Sequence, residues 1–341
     1  MKYLSELLEY FKYNLLDATA WILIAVVLAV LGLLMLAGQY LKRQPESKID
    51  AAIVSKFNHR LFFWFMISVL LAVSLLLGRI PTIILFGLLS FWALREFVTM
   101  TPTRRGDHRT LFWVFLGFTP LQYVLVAYNL YDLFTVVIPV YASLFIPGRI
   151  AFTGDRENFL ERSAKIQFGL LICVYALSHA AAILNLDFVS WDPVQKKAIP
   201  WSGQAAGALL FFMIIVQISD GLHFVCDRVF GKHIIAKDVD GTKTWEGLVG
   251  AAISSAVAGI LLNLFSITPF TWYGAALMAM VISVMASSGS MTMSAIKRDR
   301  GVKDYGSLVQ GHVGILDRID SICFAAPIYF HLIRYFLTDL R

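Results

Sequence analysis

The residues best suited to chemistry lie between Ser294 and Asp320, SAIKRDRGVKDYGSLVQGHVGILDRID, where acids, bases and one histidine crowd together in a chain only 15% charged overall. Apolar stretches flank this segment. Charge beside a membrane span is costly unless a ligand, a metal or water meets it. Asp304, Asp317 and Asp320 supply carboxylates, and Lys297, Arg298, Lys303 and Arg318 supply cations. Carboxylate oxygens with room for water suit Mg²⁺, a hard ion that completes its shell with water and phosphate oxygens. Asp317 and Asp320 stand three apart, which on a helix puts them on one face. The ammonium and guanidinium groups match phosphate, and Gly301, Gly306, Gly311 and Gly314 allow tight turns or close approach to a ligand. The chemistry expected is metal-assisted handling of a nucleotide polyphosphate. The alternative is a solvated loop with incidental ion pairs.

A second stretch, from Gln217 to Gly247, adds QISDGLHFVCDRVFGKHIIAKDVDGTKTWEG. Asp220 ends an apolar run, as a further metal ligand at a pocket mouth or as a span-end residue reaching water. Lys243 and Thr244 could contact phosphate. Trp245 could pack on a base or mark the membrane interface, where Trp is common. Gly241-Thr242-Lys243-Thr244 is not a P-loop, since it lacks the spaced glycine and the Gly-Lys pair. His312 could bind phosphate or carry a proton, or make a structural loop contact. Of His223 and His233, the latter follows Gly231-Lys232 and is the better phosphate candidate. His59, His108, His179 and His331 read as interfacial or packing residues. Cys173, Cys226 and Cys323 are too scattered for a zinc site or a disulfide framework.

Positioning these groups falls to a membrane protein. Of 341 residues, 58% are hydrophobic, and apolar runs recur along the chain. The expectation is an all-α polytopic fold, because helices satisfy their own backbone in lipid. Ten spans are predicted: 19–38, 61–77, 80–94, 111–130, 133–147, 167–186, 204–219, 247–265, 270–287 and 322–337. The first residues, MKYLSELLEYFKYNLLD, read as an interfacial segment instead of a signal peptide. With both termini on the non-cytoplasmic side, 22 of the 29 Lys and Arg residues fall in five inner loops. Loops 220–246 and 288–321 then emerge on one face and can converge on one cytoplasm-facing pocket. The chain reads as a single membrane domain over 1–341, with plain spans over 1–200 and the chemistry over 201–341. The net charge of +6 fits basic loops and does not indicate nucleic acid.

The two polar stretches resemble the phosphatidate cytidylyltransferase (CDP-diacylglycerol synthase) family. That family carries Ser-x-apolar-Lys-Arg, then Lys-Asp after four residues, then a glycine turn and His-Gly-Gly-apolar-x-Asp-Arg-apolar-Asp. Here the string runs Ser294-Ala295-Ile296-Lys297-Arg298, Lys303-Asp304, Gly306, Gly311-His312, Gly314 and Asp317-Arg318-Ile319-Asp320. Upstream, Asp220, Gly231-Lys232-His233 and Lys243-Thr244-Trp245-Glu246-Gly247 stand in register, and Ala93–Phe97 (ALREF) is more weakly similar. Val313, Gln310 and Asp240-Gly241 depart from the family pattern. The resemblance implies CMP transfer from CTP to phosphatidate in the bilayer, with Mg²⁺ and a second, monovalent cation such as K⁺. It implies Asp220, Asp304, Asp317 and Asp320 at the metal. Lys297, Arg298, Lys303, Arg318, Lys243, Thr244 and His233 would attend phosphate, with His312 closing the pocket. It also implies a homodimer, for which Gly247, Gly250 and Ser254 offer small surfaces or, equally, contacts within one subunit. Rival readings are another lipid phosphate as acceptor, a transporter, or an inactive lipid-binding paralogue.

Overall fold

The computed structural model describes residues 18–42, 51–100, 104–192, 197–301 and 314–338. Among these, ten helical segments follow one another: α1 (Ala18–Lys42), α2 (Ala51–Leu77), α3 (Arg79–Met100), α4 (His108–Ala127), α5 (Tyr131–Ala151), α6 (Phe159–Asn185), α7 (Ala205–Val229), α8 (Trp245–Asn263), α9 (Trp272–Asp299) and α10 (Leu316–Leu337). Two antiparallel hairpins interrupt them: β1 (Val189–Asp192) with β2 (Lys197–Pro200), and β3 (Ile234–Ala236) with β4 (Asp240–Thr244). Within α4, α5 and α6 the backbone widens to π-helical turns at Val114–Phe118, Val137–Ala142 and Leu171–Ala176.

The all-α polytopic class is the observed one, and every predicted span coincides with a helix. Eight of the helices, α1 and α3 to α9, are long and apolar enough to cross a membrane. The other two are weaker: α2 has a shorter apolar part, Leu61–Leu77, and α10 carries Asp317, Arg318, Asp320 and Arg334. Helix ends differ from the predicted ones in an instructive way. α7 runs on to Val229 and α9 to Asp299, while α10 starts at Leu316. Hydropathy marks what lipid covers, whereas backbone hydrogen bonding continues as long as the residues tolerate a helix. Asp220, Lys297, Asp317 and Asp320 therefore sit on helices and not in the loops expected of them.

The chain divides into two compact units, residues 1–82 with 265–267, and the remainder. In the first, α1 and α2 pack on each other. In the second, α7, α8, α9 and α10 form a bundle, with α6 against α10. Tyr329 on α10 is buried, donates to the Ala208 carbonyl of α7 at 3.1 Å, and stacks on Phe212 at 5.2 Å. The Ser219 and Ser283 hydroxyls join α7 to α9 at 2.7 Å. Such polar pairs leave no unmet group where water is absent.

A buried ion pair ties the turn that leads into α4 to α6. Arg162 donates to Asp107 through Nη2 at 2.7 Å and through Nε at 3.1 Å to both oxygens, with the two side chains 5% and 1% exposed. Its Nη1 reaches the Glu157 carbonyl at 2.8 Å and Asp155 at 2.9 Å, and the Arg104 backbone N–H caps Asp107 at 3.0 Å. Desolvation raises the Asp155 carboxyl, but bonds from the Glu157 N–H and the Arg104 guanidinium outweigh it and hold the group below its usual value.

Candidate active site

Two helices far apart in the chain bring their acids together. Ser321 on α10 donates its hydroxyl to Asp220 on α7 at 3.0 Å, and the same oxygen lies 3.4 Å from Asp320. Asp320 is 7% exposed. Like charges so close in a dry setting repel, and a cation between them relieves the strain. One turn earlier, Asp317 accepts from the Lys297 ammonium of α9 at 2.8 Å, both side chains being less than a fifth exposed. The close approach of α9 to α10 depends on Gly289, where a Cβ would stand 2.8 Å from the Asp320 carbonyl and 2.9 Å from Phe324 Cβ. Arg318 is half-buried on the first turn of α10.

The start of α10 is held from α3. No side chain of its own caps this helix. Instead the Glu96 carboxylate accepts from the Ile315 N–H at 2.9 Å and the Leu316 N–H at 2.8 Å. An anion there meets both the orphan N–H groups and the positive end of the helix dipole. The turn carrying Asp317, Arg318 and Asp320 is thereby fixed by a residue of the ALREF segment.

The β3–β4 hairpin closes the same end of the bundle, and Arg298 at the end of α9 donates to its Val239 carbonyl at 3.2 Å. Lys243 on β4 points its ammonium at Nδ1 of His223 on α7, 3.1 Å away. Thr244, for which a phosphate contact was expected, is buried, and both functions of its hydroxyl are engaged inside the protein. It donates to Asp227 at 2.8 Å and accepts from the Gly247 N–H at 3.0 Å, capping α8. Gly247 is required there, because a Cβ would fall 1.9 Å from Asp227 Oδ1. Gly250 likewise faces Cys226, so both glycines serve contacts within the chain. His233 is 78% exposed and its imidazole hydrogen-bonds Glu246, which also accepts from the backbone N–H groups of Lys232 and His233 at 3.1 Å. Trp245, 54% exposed, begins α8.

The structure thus gathers Asp220, Asp317, Asp320 and Lys297, with Arg298 at the end of α9 bonded to the hairpin and Lys243 on its strand β4. Lys303, Asp304 and His312, with Gln310 and Val313, lie outside the described residues. Among the described residues no three His, Cys, Asp or Glu side chains form a ready metal cage. Mg²⁺ seldom needs one, since it takes one or two carboxylates and leaves the rest to water and phosphate. Asp220 and Asp320, two hard-oxygen donors converging on one hydroxyl, fit that ion. Sequence reasoning missed Asp227, Ser287 and Ser321, ranked His223 below His233, and noted Glu96 only within the ALREF segment. The signal for His223 was its spacing: three residues after Asp220, it shares a face with it once α7 is known to continue.

Comparison with known proteins gives the family. Residues 58–336 match the cytidylyltransferase family. "Uncharacterized protein YnbB" of Escherichia coli (strain K12) is 33% identical over 315 residues, 92% of this chain and 97% of that protein. The phosphatidate cytidylyltransferase of Mycobacterium leprae is 35% identical over 117 residues, 34% of this chain and 37% of the enzyme. That of Haemophilus influenzae is 38% identical over 130 residues, 36% and 43%. The chain therefore matches less than half the length of these two enzymes. With a family match over most of its length and a relative aligned nearly end to end, this multi-pass membrane protein belongs to the cytidylyltransferase family.

Proposed function

We propose that the protein transfers CMP from CTP to phosphatidate, yielding CDP-diacylglycerol and pyrophosphate, at a site facing the cytoplasm. The observation that carries this reading is the meeting of Asp220 and Asp320 over Ser321, with Lys297 held by Asp317 one turn away. A phosphatidate oxygen, already anionic, attacks the α-phosphorus of CTP. The bond from that phosphorus to the bridging oxygen breaks, and pyrophosphate leaves with the electron pair. No side-chain nucleophile is needed, so the protein's work is placement and charge neutralisation. Asp220 and Asp320, with Asp304 and Asp317, would hold Mg²⁺, which when bound supplies Lewis-acid neutralisation of the phosphates. A second, monovalent cation such as K⁺ belongs to the same proposal. Lys297, Arg298, Lys303, Arg318 and Lys243 orient phosphate oxygens, with His312 closing the pocket.

The test is detergent-purified protein incubated with labelled CTP, phosphatidate and Mg²⁺, with and without K⁺. CDP-diacylglycerol and pyrophosphate should form in equal amounts. Asp220→Asn and Asp320→Asn should each lower turnover by about 100-fold or more while the protein stays monodisperse. No product with any lipid phosphate would end the proposal. A different acceptor is the second reading, favoured by the near-full-length match to an uncharacterised relative and the short match to the phosphatidate enzymes; product from another lipid phosphate alone would establish it.

A further inference from the structure

His223 is 1% exposed, one turn beyond Asp220 on α7, and its ring joins three parts of the site. Nδ1 lies 3.1 Å from the Lys243 ammonium of β4 and 3.1 Å from the Ser287 hydroxyl of α9. Nε2 lies 3.6 Å from Asp227 Oδ1. That oxygen also accepts from the Thr244 N–H at 2.9 Å and the Thr244 hydroxyl at 2.8 Å, so Asp227 is itself fixed by the strand that carries Lys243. An ammonium can only donate, so the contact with Lys243 is a hydrogen bond in the tautomer that leaves Nδ1 unprotonated, with the ring's proton on the side of Asp227. A lysine on its flexible stem otherwise samples many rotamers, and ordering it weakens the binding of whatever it grips.

We propose that His223 is a positioning residue for Lys243: backed by Ser287 and flanked by Asp227, its imidazole holds the ammonium in place before the triphosphate arrives. The plainer account is that the cluster only secures the hairpin to α7 and α9. Removal of Lys243 separates the two. If His223 acts through Lys243, its loss costs nothing further in a chain that lacks the lysine. If it only secures the hairpin, the cost persists. The proposal rests on the reading of the site as one that binds CTP, so one arm of its test uses no substrate.

The experiment compares wild type, His223→Leu, His223→Asn, His223→Gln, Lys243→Ala and the His223→Leu/Lys243→Ala double variant, all as full chains in detergent. The first readout is the rate at which an acylating reagent labels Lys243, followed by mass spectrometry of its peptide. The second is KM and kcat for CTP. Releasing the ammonium in His223→Leu should raise its labelling rate and the KM for CTP each by about tenfold, with kcat little changed. Asparagine can place its amide oxygen near the position of Nδ1 and should retain most of the wild-type behaviour. Glutamine reaches toward Nε2 and should behave as a loss, a comparison that stands even if the leucine variant fails to fold. On the Lys243→Ala background, His223→Leu should change KM by less than about twofold. Unchanged Lys243 labelling in both the leucine and glutamine variants would overturn the proposal, as would a full KM penalty in the double variant. Were the wild type to make no product from CTP, the proposed function would fall while the labelling arm still decided whether His223 positions Lys243.

Discussion

Replacing Gly289 by alanine tests whether the spacing of α9 and α10 sets the acidic pair. In an open helix interior the change should stabilise by about 1 kcal/mol, because glycine is the poorer helix former. At this position the new Cβ would stand 2.8 Å from the Asp320 carbonyl oxygen, 2.9 Å from Phe324 Cβ and 3.0 Å from Phe324 Cδ2. Carbon contacts prefer about 3.5–4.0 Å, and a helix carbonyl cannot rotate aside, so the two helices must separate by several tenths of an ångström or more. Overpacking of this kind costs about 1–3 kcal/mol, enough to cancel or exceed the propensity gain. The functional effect should be larger, since displacing reacting groups by about 1 Å can cost about 100-fold in rate. Gly289→Ala should thus melt at or slightly below the wild-type temperature in detergent and lose CMP transfer by roughly 10- to 100-fold. Gly148→Ala on α5, where nothing lies within 4 Å of the added carbon, is the control and should gain stability at full activity. A Gly289→Ala protein that is more stable than wild type and fully active would show that this contact does not place Asp320.

Two further perturbations read the supports of the site. Glu96→Ala leaves the Ile315 and Leu316 N–H groups without their carboxylate, and should cost about 1–3 kcal/mol together with most of the turnover. Glu96→Gln, which keeps one acceptor, should fall between, as measured by thermal melting and product formation; equal behaviour of both variants and wild type would dismiss the cap. Arg162→Ala strands Asp107, 1% exposed, and should cost about 3–5 kcal/mol in denaturant unfolding, whereas Arg162→Met with Asp107→Leu should recover most of it. A single-variant loss under about 1 kcal/mol would mean that the pair is wet and unimportant.

Much of the architecture could be read directly. Apolar runs locate all ten helices, because the requirement that a backbone in lipid bond to itself leaves no other local choice. The fixed order of Lys297, Arg298, Asp317, Arg318 and Asp320 likewise points to family chemistry without any coordinates. Helix periodicity even places Asp317 and Asp320 on one face. Less legible were the ends of α7, α9 and α10, since hydropathy stops at the lipid boundary and hydrogen bonding does not.

Partnerships across helices were decided only by the tertiary structure. Asp220 meets Ser321 across 101 positions and Glu96 meets Ile315 across 219. Of the two histidines between Gln217 and Gly247, the buried His223 joins Lys243, while the exposed His233 pairs with Glu246. Thr244 shows the same limit, its hydroxyl taken by Asp227 and the start of α8. A linear pattern states which face of a helix a residue occupies. It does not state which face of which other helix lies opposite, because that is chosen by the packing of the whole bundle, down to a single missing Cβ at Gly289.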